Sequence, residues 1–150
     1  MKTSSNSIDK VLDSLWTLQE SGADKSKLIL YACEVAERTL PRFEQDFSTD
    51  TRPQAAIEAA RRWALDPTKR NKNTAKIAAK AAEDAADETA DFAAASYAAL
   101  SAAFAAAAVS EIVAVIDATS NAAESAVAAQ KTEASEYKAF ELVLRKYFPA

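Results

Sequence analysis

The stretch Phe92-Ala93-Ala94-Ala95-Ser96-Tyr97-Ala98-Ala99-Leu100-Ser101-Ala102-Ala103-Phe104-Ala105-Ala106-Ala107-Ala108-Val109-Ser110 carries no charge, and after Glu111 the apolar run Ile112 to Ile116 continues it. Its length invites a membrane span. Its chemistry argues otherwise: alanine, serine and Tyr97 gain little on insertion, the flanks are Asp91 and Asp117, and no Lys or Arg lies near either end to orient a span. A helix apolar on all sides is then expected at the centre of a bundle. Alanine is the best helix former, and its small side chain lets helices approach closely.

Outward from this stretch, apolar positions recur at helical spacing and strand signals are nearly absent. Ser7 to Glu20 places Ile8, Val11, Leu12, Leu15 and Leu18 on one stripe, and Gly22 closes it as a C-terminal cap. Asp24 can cap a second helix that turns Leu28, Tyr31, Ala32, Val35 and Ala36 to one side until Pro41 bends or ends it, with 42–47 a short extension or loop. Asp50 or Thr51 can cap a third helix, with Pro53 in its first turn, running to about Leu65. Residues 68–73 read as a basic connector. Three long alanine-rich helices follow, about 74–91, 92–109 and 110–130, and a last one over 132–148 carries Tyr137, Phe140, Leu144 and Tyr147 on one stripe. The expectation is an all-α, compact bundle of about six or seven helices, one domain over 1–150, with 1–6 a disordered tail. No heptad persists and no solenoid unit repeats. Threonines such as Thr89 and Thr119 are too sparse for a freezing-point-active alanine surface.

Of the 150 residues 49% are hydrophobic, about half of that alanine, and the formal net charge is -4. The chain has no histidine, one glycine (Gly22) and one cysteine (Cys33). Imidazole catalysis, a phosphate-cradling glycine loop, a thiolate zinc cluster and an internal disulfide all lack their residues. No apolar leader follows Met1 to Asn6, and the lone cysteine suits a reducing compartment, so the expected location is cytoplasmic. Cys33 stands beside Glu34, which raises a thiol pKa, and reads as a buried structural residue.

Charge is unevenly distributed. Between Lys80 and Lys131 there is no basic residue but there are eight carboxylates. Glu83, Asp87 and Asp91 are spaced to line one helix face, with Asp84 and Glu88 beside them. Like charges at that spacing repel; the face is either solvated or neutralised inside the fold by residues such as Arg38, Arg61, Arg62 or Arg70, or it meets a basic partner. A metal would need a second ligand type or a calcium loop, which the run lacks, and no cofactor is expected. The basic run Lys69, Arg70, Lys72, Lys76 and Lys80 has no interleaved aromatic for base stacking, in a protein of pI ≈ 5.0, which speaks against nucleic acid.

One pair of segments is more specific. Cys33, Glu37, Arg38, Leu40, Phe43 and Glu44 are followed by Asp50, Arg52, Pro53, Ala56, Ile57, Glu58, Ala59, Ala60, Arg61 and Trp63. Ahead of a long alanine-rich region, this resembles the Imm-5-like family of bacterial immunity proteins, in which C-x-x-x-E-R-x-L-x-x-F-E precedes D-x-R-P-x-x-A-I-E-A-A-R-x-W. The alanine-rich region departs from the family pattern by holding acids, as in Ala82-Glu83-Asp84-Ala85-Ala86, where the family often carries histidine. The signature positions have structural tasks. Glu34 or Glu37 can pair with Arg38, Arg52 or Arg61, Pro53 can start a helix, and Trp63 can fill space that alanines leave. The resemblance implies a non-catalytic protein that binds and blocks a cognate toxin, with Glu83 to Asp91 as the first candidate contact for a toxin of basic surface. Two alternatives stand beside it: a scaffold that offers its alanine-rich helices to a second copy, and a metal-assisted enzyme using Glu34, Glu37 or the acidic face.

Overall fold

A computed structural model describes residues 8–149 and contains, among these, seven α-helices and no strand. They are α1 (Ile8–Glu20), α2 (Lys25–Glu44), α3 (Arg52–Leu65), α4 (Lys69–Glu88), α5 (Ala93–Ala107), α6 (Ala114–Ala128) and α7 (Glu133–Tyr147). The expected tail at 1–6 lies outside the described residues. No helix among the described residues is long and apolar enough to cross a membrane.

Local chemistry sets most of the boundaries. Gly22 takes φ +79°, and the bond from Ala23 N–H to the Leu18 carbonyl (2.9 Å) closes α1. Asp24 accepts from the backbone N–H groups of Ser26 and Lys27 (2.9 and 3.3 Å) and so starts α2. Thr68 accepts from Asn71 N–H at 3.0 Å, and α4 begins at Lys69. The connector expected over 68–73 is therefore helix, because a good N-cap outweighs the low helix propensity of the two asparagines. Pro41 does not end α2, which continues to Glu44; the ring sits exposed in the last turn, where only one ladder bond is lost. At α3 it is Asp50 rather than Thr51 whose side chain caps, accepting from Arg52 N–H at 3.1 Å.

The alanine-rich region breaks without glycine or proline, and its helices are shorter than the spacing suggested. Thr89 Oγ1 turns back onto the Ala85 carbonyl at 2.9 Å and closes α4, leaving Asp91 in the following turn. Gln130 takes φ 66°, and Lys131 N–H bonds the Ala126 carbonyl at 2.8 Å, so a non-glycine residue does at the end of α6 what Gly22 does after α1.

Helix α5 lies at the centre, packed against α2, α3, α4 and α6, and its buried positions are Ala95, Ala98, Ala99, Ser101, Ala102, Ala103, Ala105 and Ala106. Backbones this close let hydroxyls reach neighbouring helices. Ser101 donates to the Ala118 carbonyl (2.7 Å), Ser125 to that of Ala94 (2.8 Å) and Ser96 to that of Ala86 (2.9 Å). The large side chains pack around this centre. Tyr31, Leu28, Ile29, Val35, Ile57 and Phe140 belong to the main core, and Phe43 to a smaller one with Ala85, Ala95, Ala98 and Ala99. Phe47 joins Phe43 and meets Phe92 edge-on, at centroid distances of 5.3 and 5.2 Å.

Candidate functional site

The signature residues radiate from α2. Glu37 takes a two-pronged contact from Arg61 of α3 (2.6 and 3.0 Å). Arg38 grips Glu136 of α7 with two bonds of 3.1 Å, and Arg42 approaches the same carboxylate at 3.9 Å. Glu136 is only 2% exposed. Burial draws the Arg42 guanidinium below its ordinary pKa against the pull of Glu136, and its Nη1 is buried without a partner. Glu34 accepts from Lys146 Nζ (2.7 Å) and from the Tyr147 hydroxyl, both on α7. Burial alone would raise the Glu34 carboxyl, but these two donors overcome it and hold the group below the usual carboxylate range.

Arg52 forms a second hub. It binds Asp50 (2.7 and 2.9 Å) and reaches across to Glu88 of α4 (2.8 and 3.2 Å). The hydrogen bonds from Arg52 lower the pKa of both carboxylates and raise its own. Pro53 is buried in the first turn of α3, Phe43 is buried, and Trp63 is half-buried with Lys25 Nζ 5.2 Å from its ring centroid. Among the described residues Glu58 accepts only from Gln54 on its own helix (3.1 Å) and joins no other element. The Cys33 thiol donates to the Ile57 carbonyl (3.6 Å), and burial pushes its pKa up to about 12. A thiol so placed is inert at neutral pH.

Glu136 was not legible as a site residue, since it reads as part of the helix start together with Thr132 and Ser135. Its signal is positional: it lies four residues before Phe140, so a carboxylate stands on the buried stripe of α7. A buried carboxylate demands cations, and Arg38 and Arg42 supply them.

The acidic run divides in two. Glu88 is taken by Arg52 and Asp84 by Lys80 (2.6 Å), so the neutralising groups are Arg52 and Lys80 rather than Arg38, Arg61, Arg62 or Arg70. Glu83 and Asp87 are exposed on α4 and Asp91 is exposed in the next turn, beyond the helix on which its spacing had placed it. None of these three makes an ion pair among the described residues. Along α4 the basic residues Lys69, Arg70 and Lys72 occupy the first turn and Asp87 and Glu88 the last. This is the reverse of what the helix dipole favours.

Surface clefts flank α4. One of about 800 Å³ is lined by Lys69, Arg70, Lys72, Asn73, Lys76 and Ser110, and a smaller one between α4 and α5 by Ala79, Lys80, Glu83, Leu100, Phe104 and Ala107. Among the described residues no three His, Cys, Asp or Glu side chains gather as metal ligands would. The alanine faces that a scaffold would offer to a second copy are buried inside the chain, because α5 and α6 use them against each other and against α2.

Fold and side chains together define an all-helical bundle whose recurrent charged residues clamp one helix to the next. The chain belongs to the Imm-5-like family: residues 19–139 match the family described as Imm-5 like putative immunity protein. No curated protein and no solved structure matches it.

Proposed function

We propose that the protein neutralises a cognate toxin by stoichiometric binding in the cytoplasm, with Glu83, Asp87 and Asp91 as the contact for a basic toxin surface. Family membership supports the partner class, and one observation supports the face: these carboxylates are exposed and make no ion pair among the described residues, while their neighbours Asp84 and Glu88 are paired at the surface with Lys80 and Arg52. Outward like charges kept against helix preference are what a binding surface tolerates and a purely structural helix avoids. Charge of this kind steers encounter and fixes specificity. Glu34 and Glu37, the residues an enzyme reading would use, are held by Lys146, Tyr147 and Arg61. The Glu34 carboxyl, held below the usual carboxylate range, is poorly set for general-acid work.

Co-expression with a toxin found encoded beside its gene is expected to restore growth, and failure to do so would sink the functional reading. Asp87→Lys with Asp91→Lys is expected to weaken the purified complex by about tenfold or more and to flatten its salt dependence. Unchanged affinity removes the face while leaving the function standing.

A further inference from the structure

The outward side of α4 changes sign halfway along. Successive helical residues are 100° apart, so Lys69, Lys72, Lys76, Lys80, Glu83 and Asp87 fall within a sector of about 80°. All six are exposed, on the side away from the buried Ala75, Ala82, Ala85 and Ala86. The first four are basic and the last two acidic, and exposed Asp91 follows in the turn. Their spacing is symmetric. Lys80 and Glu83 are equidistant from the midpoint between Ala81 and Ala82, and so are Lys76 and Asp87. Lys80 also meets Asp84 on its own helix at 2.6 Å, an exposed contact that leaves its other N–H donors for a facing carboxylate.

A stripe with that symmetry is complementary to itself run backwards. We infer that α4 is the contact of a two-fold homodimer in which two copies of this helix lie antiparallel, Lys76 and Lys80 of one copy opposite Asp87 and Glu83 of the other. Such an interface is isologous, and the two pairings occur twice. The arrangement resolves the conflict within α4: the basic first half of one copy meets the acidic second half of the other, and the two helix dipoles oppose. A nucleic acid would be attracted by the basic half of the stripe and repelled by the acidic half. The cleft beside Lys80 and Glu83, with Leu100 and Phe104 in its wall, gives the long side chains of the facing copy an apolar edge to lie against. Exposed ion pairs are individually weak, so the dimer is weak and salt-sensitive. It covers Glu83 and Asp87, and so competes with a toxin that uses them.

Sedimentation of the full chain at low salt, up to about 1 mM, is expected to show a monomer–dimer equilibrium that about 0.5 M salt dissolves. Lys76→Asp and Asp87→Lys are each expected to weaken self-association by about tenfold or more, because each sets like charges opposite one another. Mixing the two variants restores dimers, since both facing pairs are then opposite in sign, and the doubly reversed chain dimerises again. Far-ultraviolet circular dichroism verifies that each variant stays helical, and the milder Lys76→Gln and Asp87→Asn replace any that does not. A chain that remains monomeric at low salt, a dimer indifferent to the reversals, or a mixture that does not recover would overturn the proposal. Lys76→Asp also separates it from the toxin reading, because it removes the dimer contact and leaves the acidic half intact.

Discussion

Where α5 meets α6 the buried residues are mostly alanine with Ser101 and Ser125 among them, and where α2 meets α7 the contacts run through Arg38 and Glu34 to Glu136, Lys146 and Tyr147. In the first region the backbones approach until serine hydroxyls bond carbonyls of the next helix. In the second, long side chains span a wider gap and are held by charge. Close packing leaves no room for growth, and a spanning contact leaves a hole when its side chain is cut. The two regions should therefore fail to opposite substitutions.

The largest effect is expected from Phe140→Ala. Phe140 is fully buried, and its loss leaves a cavity between α7 and the bundle worth about 3–5 kcal/mol. At about 2–4 °C per kcal/mol for a chain of this size, thermal melting should fall by roughly 10 °C. Ala102→Leu tests the other region. Ala102 is fully buried in α5, and the added volume should cost about 1–3 kcal/mol, read as a lower denaturant midpoint at unchanged slope. A neutral result there would mean that the alanine interface is looser than its serine bonds imply.

The smallest effect concerns charge. Glu34 and Asp50 have depressed pKa values in the folded chain, so the unfolded chain takes up their protons first as pH falls. Their contribution is complete above the ordinary carboxylate values and is lost as pH drops through the depressed folded values. Stability should therefore decline below about pH 4, and Glu34→Gln should flatten that decline. A slope unchanged by Glu34→Gln would assign the acid sensitivity to other carboxylates.

Much of this was legible in the residues. Gly22, Asp24 and Pro53 announce helix ends by local backbone chemistry, and the charge-free stretch around Leu100 announces a buried centre. The motif residues Glu37 and Arg61 could be anticipated as partners across two helices. Other features gave no local sign. Thr89 and Gln130 end α4 and α6 although neither is a strong terminator, because the chain must turn where its neighbours require it. Arg52 could have met several carboxylates, and only the packing of α3 on α4 selects Glu88. Splitting the acidic run into engaged and outward members likewise depends on which helix lies next to it.

By itself the sequence determined that the chain is helical, that its centre is alanine and that imidazole chemistry is absent, because propensity, periodicity and composition are properties of single segments. The tertiary structure alone decided which charges are partners, that Glu136 is buried, and that Glu83 and Asp87 face outward in line with Lys76 and Lys80. Those outcomes depend on distances between segments far apart in the chain, and a linear pattern does not encode such distances.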